Sequence, residues 1–174
     1  MKSLLVFTCA CLFFVACACS VSGNGTDELH IGVRLTTGER SRDTSSQTTA
    51  ITVEGGAVVW EQTFSGRRGG APSLRKEFKL SPADKENLLK LIRSNNLLVT
   101  DSIELPLDPP VFYFEISVDL TLGEKKGAIN ISGPRTAVKV REEKLYQDTL
   151  PLVKELYRII NAQDKSIRFE EVVP

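Results

Sequence analysis

Few side chains in this chain can do chemistry, and their positions limit what that chemistry could be. His30 is the only histidine among 174 residues, so a histidine-based metal cluster is excluded and a Ser-His-Asp arrangement would have to use it. It sits near the start of an alternating segment, on its polar side, where a solvent-facing histidine is the plain expectation. All four cysteines, Cys9, Cys11, Cys17 and Cys19, lie at the N-terminus. The body of the chain therefore has no thiol nucleophile and no disulfide. Glu115 and Asp119 share one strand face and would be the tempting glycosidase pair. At about 3.3 Å per residue they stand about 13 Å apart, beyond both the retaining and the inverting spacing. Asp84 and Glu86 fall in the first turn of an expected helix, where carboxylates complement the positive end of the dipole.

Basic residues offer two further sites. Ile131-Ser132-Gly133-Pro134-Arg135 gathers a hydroxyl, a glycine and a guanidinium at a strand end, an arrangement able to receive an anion. Ser65-Gly66-Arg67-Arg68-Gly69-Gly70 presents two arginines, as an inhibitor loop would present them to a protease. The flanking glycines raise the cost of ordering such a loop, and a flexible connector is the plainer reading. Arg67, Arg68, Arg75, Lys76 and Lys79 crowd one stretch against Glu77 alone. Such a cluster blunts an exposed strand edge; its functional reading is an anion or partner contact, for which Arg67, Arg68, Ser132 and Arg135 are the candidates. No cofactor or nucleotide motif is present, so no cofactor is expected. Acidic and basic residues balance at 22 each, which leaves no global field to hold nucleic acid.

The leader is more informative. After Lys2 the run from Leu4 to Cys19 is apolar or small, and no charge returns until Asp27. That is a short positive region followed by an apolar one, the form of a signal peptide. At roughly fifteen residues the run falls short of the about twenty needed to span a bilayer as a helix.

Phe14-Val15-Ala16-Cys17 resembles the lipobox of bacterial lipoproteins, in which an apolar and a small residue precede a cysteine that becomes acylated. The resemblance covers four residues and departs from the family in having Phe14 where leucine is usual. It implies a fatty-acyl anchor on Cys17, with Cys19 after Ala18 as the alternative. Ala16-Cys17-Ala18 also fits ordinary signal cleavage, which would release a free protein. Residues 1–16 are then the signal, 17–27 a polar tether and 28–174 one globular domain. Asn24-Gly25-Thr26 and Asn130-Ile131-Ser132 have the form of glycosylation acceptors, relevant only to a eukaryotic secretory route.

The elements that must position any site follow from periodicity. Leu29, Ile31, Val33 and Leu35 alternate as a half-buried strand, and the polar run Thr36 to Thr49 reads as a long hairpin loop. Strands around Ile51 and Val53 and around Val58, Trp60 and Phe64 flank a tight turn at Gly55-Gly56. A loop from Ser65 to Ser73 leads to a short strand through Phe78 and Leu80. Ser81-Pro82-Ala83-Asp84 starts a helix with an N-cap serine and a proline at the first position, and Asn95-Asn96 ends it. Residues 105–110 form an extended connector. Val111 to Leu122 is the longest alternation, expected in the middle of the sheet; Gly123 to Gly127 turns the chain into a strand through Ile129 and Ile131. A second helix is expected over about Thr149 to Ala162, with Pro151 in its first turn, and Glu142 to Gln147 offers an earlier helical turn.

The expected fold is α+β: an antiparallel sheet of five or six strands with two helices packed on one face. The expected role is that of an exported envelope protein, facing the periplasm or the cell surface and held to the membrane by lipid, which binds an envelope protein or a small ligand without catalysis. A hydrolase using carboxylates and serines assembled by folding, and an inhibitor acting through Arg67-Arg68, are the alternatives.

Overall fold

A computed structural model of the protein describes residues 28–40, 45–66, 73–106 and 111–169. Within them run strands β1 (Leu29–Arg40), β2 (Ser45–Glu54), β3 (Ala57–Ser65) and β4 (Leu74–Lys79), helix α1 (Pro82–Ser94), strands β5 (Thr100–Glu104), β6 (Val111–Leu122) and β7 (Lys125–Pro134), a 3-10 turn (Val138–Glu142) and helix α2 (Lys144–Gln163). The strands form one sheet in the order β4-β3-β2-β1-β6-β7-β5. Every pairing is antiparallel except that of β5, which lies parallel to β7.

The class is α+β, but the sheet has seven strands and is mixed. The strand absent from the sequence reading is β5. It is an edge strand with only Ile103 half-buried, so no alternation marks it. As expected, β6 lies inside the sheet, between β1 and β7.

Alternate residues of the inner strands and one stripe of each helix share a single apolar core. Registered rows run across the sheet face. One row joins Leu120, Ile31, Val53, Val58 and Phe78, and the next joins Ile129, Val118, Val33, Ile51 and Trp60. Against them α1 places Leu88, Leu89 and Ile92, and α2 places Leu152, Val153, Leu156 and Ile160. On the opposite face Arg34, Glu115 and Asp119 are exposed and His30 is half-buried.

Helix α1 begins and ends as its residues require. The Ser81 hydroxyl accepts from the Asp84 amide at 3.1 Å and donates to the Asp84 carboxylate at 2.6 Å. Asn96 takes the left-handed conformation beyond the helix end, with φ 51°. Arg158 of α2 also donates to Asp84 while gripping Glu155 through two bonds of 2.8 Å. The Ser81 hydroxyl, and then Arg158, hold the Asp84 carboxyl below its usual range although partial burial opposes them. A carboxyl depressed on folding stabilises the fold above its unfolded pKa of about 3.9, and that stability is lost as pH falls through the lower, folded value. Asp84→Asn is therefore expected to cost about 1 kcal/mol at pH 7, and the gap to wild type should narrow as pH falls through the depressed folded pKa, as read by urea unfolding along an acid pH series.

Helix α2 starts at Lys144, earlier than expected, with Pro151 in its interior. Proline removes one helical bond and crowds the preceding turn. Here that turn is tied down from outside. The Asp148 carbonyl accepts from Asn95 Nδ2 at 3.1 Å, and Thr149 donates to the Leu145 carbonyl at 2.7 Å, a back-bond that lets the helix bend. Burial of Tyr146 and Thr149 ahead of the proline carries the buried stripe past it.

Two turn assignments also change. The β6–β7 turn is only Gly123-Glu124, and Gly127 belongs to β7. There it meets the segment from Leu97 to Val99, and the Ala128 amide donates to the Val99 carbonyl at 2.8 Å. The polar run Thr36 to Thr49 is not a hairpin loop: apart from residues 41–44, which lie outside the description, it is paired strand. Thr36 faces Thr48, Thr37 faces Gln47 and Glu39 faces Ser45. Threonine suits a pleated strand, and neither face of this stretch is fully covered, so no alternation in hydrophobicity advertises it.

At the other edge β4 carries Arg75, Lys76 and Lys79, the cations that the sequence reading assigns to an edge. The Gln163 amide of α2 accepts from the Lys79 N–H at 3.1 Å and donates to its carbonyl at 2.9 Å. It meets this edge as an eighth strand would.

Candidate functional site

The inner sheet face changes character along its length, and the change creates a cleft. Beyond the two apolar rows the next reads Ile131, Ile116, Leu35, Thr49, Gln62, Leu74, and the last Gly133, Phe114, Thr37, Gln47, Phe64. On β6 and β7 these positions stay apolar and buried. On β1, β2 and β3 threonine and glutamine enter at Thr37, Gln47, Thr49 and Gln62 beside the buried Leu35 and the exposed Phe64, and Gln62 Nε2 reaches the Thr49 hydroxyl at 3.5 Å. This polar floor, the chain following α2 and Arg135 enclose a cleft of about 610 Å³. A second hollow of about 350 Å³ continues it past Phe112 and shares Thr37, Gln47, Phe64 and Arg135 with it.

The walls are placed by ordinary local bonds. The Arg135 amide donates to the Phe112 carbonyl at 2.8 Å, which fixes the turn after β7 against β6. Past α2, Asp164 Oδ1 accepts from the Ser166 amide at 2.9 Å and the Ser166 hydroxyl at 2.6 Å, and the Ile167 carbonyl accepts from Asn161 at 2.9 Å. This turn buries Ile167 and brings Arg168 to the rim. The Tyr157 and Phe169 rings brace it from behind, 5.2 Å apart.

Three observations set this cleft apart. The large apolar side chains that stay exposed among the described residues are Phe64 (38%), Leu74 (50%) and Phe112 (59%), and all three line the two hollows. Trp60, only 5% exposed and part of the wall, has an indole N–H with no acceptor. An unmet buried donor costs about 1–3 kcal/mol and asks for explanation. The charged lining residues described in the main cleft are cations: Lys76, Arg135 and Arg168. Lys76 pairs with Asp164 at 2.6 Å, and that bond, with those from Ser166, holds the Asp164 carboxyl far below its usual range. Arg135 and Arg168 pair with no described carboxylate.

The residues singled out from sequence are distributed unevenly. Arg135 lines both hollows. Ser132 faces the other side of the sheet, where its cross-strand neighbours are Glu115 and Glu104, so the structure does not bring it together with Arg135. Arg67, Arg68, Cys17 and Cys19 lie outside the described residues; Gly66 and Leu74, on either side of the Arg67-Arg68 loop, are exposed. His30, Glu115 and Asp119 share the open sheet face away from the cleft. Among the described residues no group of three or more histidines, cysteines or carboxylates is placed to hold a metal. The site members that sequence reading missed are Trp60, Phe64, Leu74, Phe112, Gln47 and Gln62. Trp60, Phe64 and Phe112 read as ordinary strand residues, and nothing in the sequence shows that Gln47, Gln62 and Leu74 lie beside them until the pairing is known.

No protein-family model matches the chain, and no curated protein matches it in sequence.

Proposed function

We propose that this protein is an exported, lipid-anchored domain of the bacterial envelope that binds a ligand without transforming it, and that its site is the cleft beside Arg135. The observation that carries the reading is the convergence of the exposed apolar side chains Phe64, Leu74 and Phe112 around two adjoining hollows with the Arg135 guanidinium, which pairs with no described carboxylate. A concave site with a few converging polar groups is where small ligands bind. The hydrolase alternative calls for carboxylates gathered in a pocket with perturbed pKa values. The carboxyls whose pKa is lowered, Asp84 and Asp164, are each engaged by a cation, as structural ion pairs are. The anchor rests on Phe14-Val15-Ala16-Cys17 and the polar tether that follows, and no described helix is long and apolar enough to cross a membrane.

Two measurements test it. Cys17→Ser should abolish metabolic labelling by an alkynyl fatty acid and move the protein to the soluble fraction; retained label would remove Cys17 as the anchor. A photo-crosslinking residue at Phe64 should trap a ligand or partner in intact cells, whereas one at Arg34, on the opposite sheet face, should not. Adducts at Arg34 alone would move the site to the other face.

A further inference from the structure

We propose that the cleft takes a small anionic sugar, a polyhydroxy ring bearing a carboxylate or phosphate; this rests on the cleft being the binding site. Its volume, about 610 Å³, lies in the range of small-molecule sites, roughly 300–1,000 Å³.

The charge comes from Arg135, aided at the rim by Arg168, neither paired with a described carboxylate. A guanidinium fork matches the oxygens of a carboxylate or phosphate, and no described carboxylate lines the main cleft to repel one. Lys76 contributes less, because Asp164 already neutralises it.

The floor argues for hydroxyls. Thr37, Thr49, Gln47 and Gln62 each offer both donor and acceptor capacity. A ring of hydroxyls, which also donate and accept, meets them in either sense. An alkyl chain lying there would desolvate them and leave whatever hydrogen-bonding capacity the Gln62–Thr49 bond does not use unmet. Trp60 adds a donor without an acceptor, which a ring or hydroxyl oxygen would supply once the wall gives way to admit it. Phe64 and Leu74 offer apolar surface to the C–H face of such a ring. A simple inorganic anion accounts for the arginines alone, and a fatty acid for the apolar wall alone.

Trp60 is the only tryptophan in the chain, so its fluorescence reports the wall directly. The Cys17→Ser full chain would be titrated with galacturonate, glucose 6-phosphate, glucose, inorganic phosphate and decanoate. A saturable change with galacturonate or glucose 6-phosphate is expected, with glucose, inorganic phosphate and decanoate inert over the same range. Arg135→Ala should weaken that binding about tenfold or more, and Arg34→Ala should leave it unchanged. Should glucose or decanoate bind as tightly, the ligand class fails while the cleft stands. A response to inorganic phosphate equal to that of glucose 6-phosphate means an adventitious ion only. Silence with all five probes overturns the anionic sugar, and adducts at Phe64 in intact cells would then show that the cleft binds something else. An Arg135→Ala affinity equal to wild type places the sugar elsewhere and overturns the site as well.

Discussion

Gly127→Val is expected to destabilise the fold by about 3 kcal/mol or more, enough to populate unfolded protein at physiological temperature. A Cβ at Gly127 would stand 2.5 Å from the Leu97 carbonyl oxygen, 2.9 Å from Leu98 Cα and 3.0 Å from the Val99 nitrogen. All three are backbone atoms, so no side chain can swing aside. Either β7 or the segment leading into β5 must move, and moving that segment breaks the bond from the Ala128 amide to the Val99 carbonyl. Urea denaturation with the slope held equal measures the loss. Wild-type stability for this variant would mean that the crossing of the two backbones is looser than described. Gly32 is the control, because the nearest atom to a Cβ there is at 3.7 Å; Gly32→Ala should be nearly neutral.

The second large effect tests where the core ends. Phe114 and Phe112 point to the same face of β6, two residues apart. Phe114 is 0% exposed and Phe112 is 59% exposed. Phe114→Ala removes a ring packed on all sides and is expected to cost about 3–5 kcal/mol. Phe112→Ala should cost no more than about 0.5 kcal/mol, yet on the binding reading it should weaken ligand retention. Thermal melts separate the two variants. Equal losses from both would show that the cleft end of the sheet is packed like its middle, and the hollow beside Phe112 would not be a site.

The same boundary explains how much the sequence disclosed. Wherever a strand has one buried face, alternation named it: Leu29 to Leu35, Val58 to Trp60 and Val111 to Leu122 fall inside β1, β3 and β6. The Ser81 cap and the Asn95-Asn96 terminus of α1 were legible because capping is local chemistry written in a few side chains. Sequence reading lost the chain where burial stops. Thr36 to Arg40 and Ser45 to Thr49 are strand because their neighbours pair with them, and Thr37, Gln47 and Thr49, on the inner face, lie under a hollow instead of a helix. The site was therefore least visible where it is most concentrated: of its lining the sequence marked Arg135 and, within a basic cluster, Lys76, whereas Trp60 and Phe64 passed as ordinary strand residues. Strand β5 was missed for a different reason, since an exposed edge records no hydrophobic period. Pro151 misled because a proline's local penalty can be offset by tertiary contacts, here Asn95 and the burial of Tyr146.

The order of the strands has a temporal consequence. β1 lies at the centre of the sheet, yet one of its two partners, β6, is reached only when Leu122 comes to face Leu29. As the chain emerges from a ribosome or a translocation channel, β1 to β4 can assemble first, leaving the β1 flank bare until the later half arrives. That half-built sheet is the stage most exposed to self-association and to chaperone capture, and substitutions in β6 should reveal themselves first as poor yield.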